Sequence, residues 1–412
     1  MPRKKKFSPS AILDTNGPLY QSNLLDNADD WRLFCDSLHK GAAPLHWNCE
    51  LGKAGGRQAI VPVFLPFRGC PVRCVFCAQD VQTGITESNP LQGAVDQAAP
   101  QDCNGIAKVL QEARQNLRHR HNTGQPPAEL AFYGGTFTAL PENELAACLD
   151  MAREALEQGW ISSFRCSTRP DRVDAATLLR LRSAGCGVVE LGVQSFDDSA
   201  LAASRRGYTG ATALAACAAV RAAGLQLGVQ LLPGMPGHNP QHFAQDVPVA
   251  LAAGAQMLRF YPCLVLEGTG LAAMWREGTY SPWPLETTLD ALAQGWLAAM
   301  RAGVPVIRMG LAPEQGLAEA ILAGPVDGEL GGRVKGRALL LAVREALQAP
   351  DMRQKFLPEC GFGLRLPRAM QGFFWGAGGE LRQAWKALGL RALAFESTCE
   401  PQLLLGLPPL KP

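Results

Sequence analysis

Between residues 59 and 309, short apolar runs alternate with helical stretches rich in Ala and Leu, and this alternation constrains the fold more than any other feature of the chain. Strands are expected at 59–65, 129–133, 163–167, 187–193, 226–231 and 256–261, with 305–309 as a further candidate. Helices are expected at 142–158, 175–184, 212–223, 240–252 and 285–302. Strand, helix and strand joined by short connections is the pattern of a parallel sheet with crossover helices. Glycine stands at the helix-to-strand boundaries, at Gly159, Gly185, Gly224, Gly254 and Gly303, where a left-handed residue commonly ends a helix. The expected fold is therefore α/β, a partial (β/α)6 TIM-type barrel of six parallel strands over residues 57–310. An N-terminal extension, 1–56, precedes it. A C-terminal extension, 311–412, follows; it is helical in part, near 337–348, beyond a glycine-rich stretch at 324–336.

Composition narrows the function classes. The chain has 412 residues, 47% of them apolar, which suits a globular protein with a large core. The net charge of +2 implies no strong overall field for nucleic acid or membrane. The C-terminal part is more basic, with 12 Lys and Arg against 6 Asp and Glu from Leu330 onward, which supports RNA contact weakly. The basic run Arg3-Lys4-Lys5-Lys6 lacks the apolar stretch of a signal peptide, and no run approaches the ~18 apolar residues of a membrane span. No membrane partner is expected. Of 13 Cys, most are scattered in apolar surroundings, such as Cys148, Cys186 and Cys217, and behave there as small hydrophobes. A reducing, cytoplasmic setting is expected.

One cysteine cluster differs. In Arg68-Gly69-Cys70-Pro71-Val72-Arg73-Cys74-Val75-Phe76-Cys77, three thiols follow directly on the first strand at spacings of four and three. Thiolates bind iron–sulfur clusters and zinc. A structural zinc site closes with four ligands, so that reading needs a remote partner such as Cys103 or His46. Three ligands instead leave one iron of a cubane open to a small molecule. Cys70, Cys74 and Cys77 are the candidate metal ligands.

This loop, placed on this strand pattern, resembles the radical S-adenosylmethionine superfamily over residues 60–309. The resemblance implies a [4Fe-4S] cluster on the three Cys, with S-adenosyl-L-methionine on the open iron. It also implies an electron from a reductant such as flavodoxin or ferredoxin, and a 5′-deoxyadenosyl radical that abstracts hydrogen from substrate. Phe76 then packs near the adenine. Gly134-Gly135-Thr136, after the second strand, resembles the family's segment for the methionine ammonium. Ser167 ends the third strand, where relatives often carry a carboxylate. Gln194 and Gln230 end the fourth and fifth strands in positions of ribose or methionine contacts, and Tyr261 lies at the end of the sixth. Arg206, twelve residues after Gln194, resembles the arginine that pairs with the methionine carboxylate. Each lies at a strand's carboxyl end, the face on which barrel enzymes gather their chemistry.

Ser-Thr-Arg-Pro-Asp (167–171), Leu-Leu-Pro-Gly-Met-Pro-Gly (231–237) and Arg-Phe-Tyr-Pro-Cys (259–263) narrow the resemblance to the radical domain of the Elongator catalytic subunit and its short bacterial relatives. Elongator joins that domain to an acetyltransferase that modifies the tRNA wobble uridine. About 100 residues follow Met309 here, without a recognisable acetyl-CoA phosphate loop, so that activity is not expected whole. The short relatives often carry His-Pro soon after Gly-Pro, where this chain has Val326-Asp327. The expectation is a radical enzyme of unnamed substrate, with RNA or tRNA as the leading class. The alternatives are a tetrapyrrole- or heme-related radical protein and a non-catalytic iron–sulfur module that binds nucleic acid.

Overall fold

The computed structural model describes residues 19–20, 42–44, 58–78, 104–311, 315–353, 361–396 and 401–405. Cys103, His46 and the run Arg3 to Lys6 lie outside the described residues. The strands, in chain order, are β1 (Leu19–Tyr20), β2 (Ala42–Pro44), β3 (Ile60–Phe64), β4 (Ala128–Tyr133), β5 (Ile161–Thr168), β6 (Cys186–Gln194) and β7 (Gln226–Leu231). They continue as β8 (Met257–Phe260), β9 (Val265–Leu266), β10 (Val306–Met309), β11 (Ile321–Ala323), β12 (Phe362–Pro367), β13 (Leu390–Glu396) and β14 (Gln402–Leu405).

The chain divides into two compact units, residues 48–338 and residues 1–47 with 339–412. In the first, seven strands form one sheet in the order β10-β8-β7-β6-β5-β4-β3, and all six pairings are parallel. It is the curled, partly closed barrel sheet that the alternation implied, with the further candidate strand as its β10 edge. Central strands such as β6 are buried nearly throughout, as a parallel sheet covered on both faces requires. Edge strand β3 instead alternates exposed and buried residues. The five helix-end glycines all have positive φ, between 67° and 92°, so the caps are left-handed as their sequence positions implied. Helices also form at Asn104–Asn122, Asp198–Ala203 and Gly270–Arg276, where none was expected.

The last helix of this region runs Leu330–Gln348, so it begins inside the glycine-rich stretch that was expected to separate it from the core. Three glycines in its first two turns cost about 1 kcal/mol each against Ala. Polar contacts offset that cost. Asp327 Oδ1 accepts the Glu329 N–H at 2.7 Å, and Arg333 reaches Asp327 Oδ2 at 2.5 Å. Arg337 pairs with Glu286 and with Asp290 on the helix Leu285–Arg301. Asp327, in the Val326-Asp327 pair set against the His-Pro of the short relatives, thus orders the turn that leads into this helix.

The second unit is built on a five-stranded sheet, β1-β13-β12-β14-β2, drawing strands from both chain ends. β12 and β13 are parallel and the other pairings antiparallel. Trp385 is fully buried and stacks on Phe374 at 4.6 Å between centroids; its Nε1–H donates to the Phe374 carbonyl at 3.0 Å.

Candidate active site

The site begins where β3 ends. The Leu65 N–H donates to the Tyr133 carbonyl at 2.7 Å, carrying the parallel pairing one residue past β3, and the Arg68 carbonyl accepts the Thr136 N–H at 2.9 Å. Gly134 and Gly135 have φ of +107° and +53°, and a Cβ on them would meet the Leu65 and Arg68 carbonyl oxygens at 2.2 and 2.1 Å. The glycine pair is therefore required for backbone-to-backbone contact with the cysteine loop, a reason the sequence alone did not reveal. The loop is pinned on its far side as well, by Val75 N–H to the Ser204 carbonyl and Leu271 N–H to the Val75 carbonyl.

The thiols are placed unequally. Cys70 is half-buried and shares a 3.0 Å hydrogen bond with Thr136 Oγ1; burial pushes its thiol above the usual range, with Thr136 and Arg169 opposing. Cys77 is half-buried, and its N–H donates to the Cys74 carbonyl. Cys74 is buried and faces two guanidiniums, Arg206 Nη1 at 3.1 Å and Arg169 Nη1 at 3.7 Å. Among the described residues, no three His, Cys, Asp or Glu side chains converge as ligands of a single ion. A cubane spreads three thiolates over three separate irons.

Arg206 carries the decisive electrostatics. It is 5% exposed, and it donates to the Gly192 carbonyl, the Tyr208 hydroxyl and Cys74 Sγ. Its guanidinium lies over the Tyr208 ring at 5.0 Å and the Phe76 ring at 6.0 Å. It has no carboxylate partner among the described residues, whereas neighbouring Arg169 is held by both oxygens of Asp171 at 2.9 and 3.1 Å. Burying a cation without a counter-ion is costly, so this position calls for negative charge at the sulfurs. Anionic thiolates, and the cluster they would carry, fit that requirement.

A cavity of about 280 Å³ opens beside the loop. Of the residues singled out in the sequence, Phe76, Cys77, Gly134, Ser167, Gln194, Gln230 and Tyr261 line it, drawn from five strand ends and the cysteine loop. Gly135, Thr136 and Arg206 stand outside the lining, against the cysteine loop instead. Gln194 has φ +70° at a register break between β6 and β7, a strained conformation for a non-glycine residue.

Beneath the cavity lies a charged layer that the sequence reading missed. Glu190, 1% exposed, accepts from Arg165 at 3.0 Å, Arg259 at 2.8 Å and Gln230 at 2.9 Å. Arg165 also pairs with Glu129 at 2.5 Å, and Arg259 donates to the hydroxyls of Tyr133 at 2.6 Å and Tyr261 at 2.9 Å. Burial and the Glu190 charge push the Tyr133 hydroxyl up to about 12. The Gln230 amide also donates to Ser167 Oγ, so its nitrogen is spent on the floor of the cavity. The available signal was a charged residue within each of four strands, Glu129, Arg165, Glu190 and Arg259.

Residues 64–247 match the Radical SAM superfamily model, and residues 255–337 match the Radical_SAM C-terminal domain. The tRNA uridine(34) acetyltransferase of Methanocaldococcus infernus is 27% identical over 267 residues, 57% of this chain and 48% of that protein. The heme chaperone HemW of Bacillus subtilis is 26% identical over 219 residues, 52% of this chain and 53% of that one. The chain spans about half the length of the curated relatives it matches. Among solved structures, the archaeal Methanocaldococcus infernus Elp3 with an N-terminal deletion superposes with a TM-score of 0.50 at 20% identity, over 67% of this chain and 62% of that one, and so shares its fold. With the two family models covering the barrel strands, the cysteine loop and the helix that follows them, the chain belongs to the radical S-adenosylmethionine superfamily of enzymes.

Proposed function

We propose that Cys70, Cys74 and Cys77 hold a [4Fe-4S] cluster with S-adenosyl-L-methionine on its open iron, and that the enzyme performs a radical modification of an RNA nucleotide. The observation that carries this reading is the buried Arg206 guanidinium, which has no carboxylate partner among the described residues and is set against Cys74. Bound there, the cluster and cofactor supply reductive cleavage of the sulfonium and hydrogen abstraction from substrate, driven by a flavodoxin- or ferredoxin-type reductant. The protein's own residues do the positioning. Arg206 and Arg169 would balance anionic charge at the sulfurs, and Arg206 is the residue that the family resemblance pairs with the methionine carboxylate. Phe76, Gly134, Ser167, Gln194, Gln230 and Tyr261 form the wall against which the nucleoside part lies, with Gly135 and Thr136 fixing the loop. The apolar wall formed by Leu232, Leu264 and Leu266 limits water near the reacting atoms.

RNA as substrate is supported by the tRNA uridine(34) acetyltransferases among the relatives. Acetyl transfer is not part of this proposal, because the match covers about half their length. A heme-related reading has one relative in its favour. It is favoured less, because the three tRNA uridine(34) acetyltransferases match over 57% of this chain and the heme chaperone over 52%.

Anaerobic reconstitution tests the reading. The protein should take up about four irons and four sulfides. Under dithionite it should convert S-adenosylmethionine to 5′-deoxyadenosine and methionine, and mass spectrometry of cellular RNA should show a modified nucleotide. Cys148→Ala, at a buried cysteine in the helix Glu142–Glu157, should leave the cluster intact. A reducible cluster in the triple Cys70, Cys74, Cys77→Ala variant, or release of S-adenosylhomocysteine alone, would refute the proposal. Heme uptake seen by absorption, with no change in RNA, would favour the second reading.

A further inference from the structure

The parallel sheet of the first unit does not close on itself: β3 is one edge and β10 the other. Both edges nevertheless border the same cavity, through Phe64 on β3 and Arg308 on β10. The two residues are unusual in opposite ways. Phe64 is an aromatic ring left 39% exposed, leaning on Tyr133 at 6.0 Å between centroids. Arg308 is exposed, and its side chain makes no hydrogen bond or ion pair among the described residues. It is also the register partner of Arg259 on β8, so two cations sit side by side across neighbouring strands. Arg259 is neutralised by Glu190, whereas among the described residues Arg308 has no such partner and no Asp or Glu lines the cavity. Like charges on paired strands repel, so the arrangement is relieved by an anion at Arg308.

A flat apolar ring at one lip and an unsatisfied guanidinium at the other match the two halves of a nucleotide. Aromatic side chains stack unpaired bases, and arginine takes a phosphate through a planar fork. We infer that the seam between the β3 and β10 edges is the substrate's nucleotide subsite, with Phe64 stacking a base and Arg308 holding a backbone phosphate of single-stranded RNA. The inference rests on the RNA reading proposed above and assigns that substrate its place. The cofactor's carboxylate is the other source of an anion here. It is disfavoured because Arg206 and Arg169 already supply cations on the cysteine-loop side, away from the seam.

The test uses the reconstituted full chain and bulk tRNA, with binding followed by fluorescence anisotropy across a salt series. Arg308→Gln should weaken binding roughly tenfold and flatten the log–log salt slope by about 0.7, the loss of one single-strand phosphate contact. Arg308→Lys should keep the slope. Phe64→Leu should weaken binding by about 5- to 150-fold with the slope unchanged, as loss of one stacked base predicts. If the wild type binds tRNA but Arg308→Gln keeps its slope and Phe64→Leu its affinity, this subsite is wrong while the RNA reading stands. No tRNA binding by the wild type overturns both. Weakened S-adenosylmethionine binding with unchanged tRNA binding assigns the pair to the cofactor and overturns the subsite.

Discussion

Two pairs of buried arginines lie in the barrel unit, and they are treated differently. Arg165 and Arg259, under the cavity, are matched by Glu129 and Glu190 and by tyrosine hydroxyls. Arg169 and Arg206, beside the cysteine loop, have one carboxylate between them among the described residues, Asp171 on Arg169, and the second guanidinium faces a thiol. The first pair is electrically complete and belongs to the folded chain. The second carries an excess positive charge that no carboxylate among the described residues balances. Buried charge is tolerated when paired, so the difference marks which pair is structural and which awaits an anion.

The comparison is tested most severely at Cys74. Cys74→Ala should abolish the reducible cluster entirely, measured as bound iron and sulfide, because the thiol facing both guanidiniums is lost.

The next effect belongs to the complete pair. Glu190→Gln leaves Arg259 without its carboxylate while Arg165 keeps Glu129, and should cost about 3–5 kcal/mol in denaturant unfolding of the cluster-free protein. A cost that appears only when the cluster is loaded would erase the distinction between the pairs.

Arg206→Ala comes third. At equal cluster content it should weaken S-adenosylmethionine binding roughly 10- to 150-fold, about 1.5–3 kcal/mol, read by titration. An unchanged dissociation constant would move the carboxylate partner to Arg169 and leave Arg206 a purely cluster-facing cation.

Tyr133→Phe is the smallest. It removes one hydrogen bond to Arg259, about 1 kcal/mol at neutral pH. Its pH dependence is more telling. The folded hydroxyl titrates at about 12, above the ordinary 10, so between those values the native state holds a proton that the unfolded chain has lost. That contribution to stability is fully present below pH 10 and disappears as pH rises through 12. The wild type should therefore lose stability over pH 10–12 faster than Tyr133→Phe, measured by chemical unfolding at each pH.

Some of this was legible in the residues and some was not. The cysteine loop was found because thiols at spacings of four and three have few structural uses, and the strand ends because apolar runs and glycine caps repeat. Glu190 was passed over although it sits inside the expected strand 187–193. A lone carboxylate in an apolar strand shows its purpose only beside Arg165 and Arg259, which come from other strands. Arg206 was placed at the barrel mouth by its distance from Gln194, but its burial and its hold on Gly192 and Tyr208 depend on how the segment 204–208 folds back under the cysteine loop. The strands β12 to β14 were unreadable because Pro and Gly crowd the segment that holds them, at Gly361, Gly363, Pro367, Gly389 and Pro401, and β1 and β2 are only two and three residues long, too short for any period to show.

By itself, the amino-acid sequence determined the βα alternation, the left-handed caps that separate its repeats, and the loop that carries the chemistry. Those features are local, written in periods of two and 3.6 residues and in the backbone freedom of glycine. Only the tertiary structure decided which charges face each other, that both edges of one sheet border one cavity, and that strands from the two chain ends share a second sheet. Such pairings follow from register and curl between segments up to several hundred residues apart, and no local pattern encodes them.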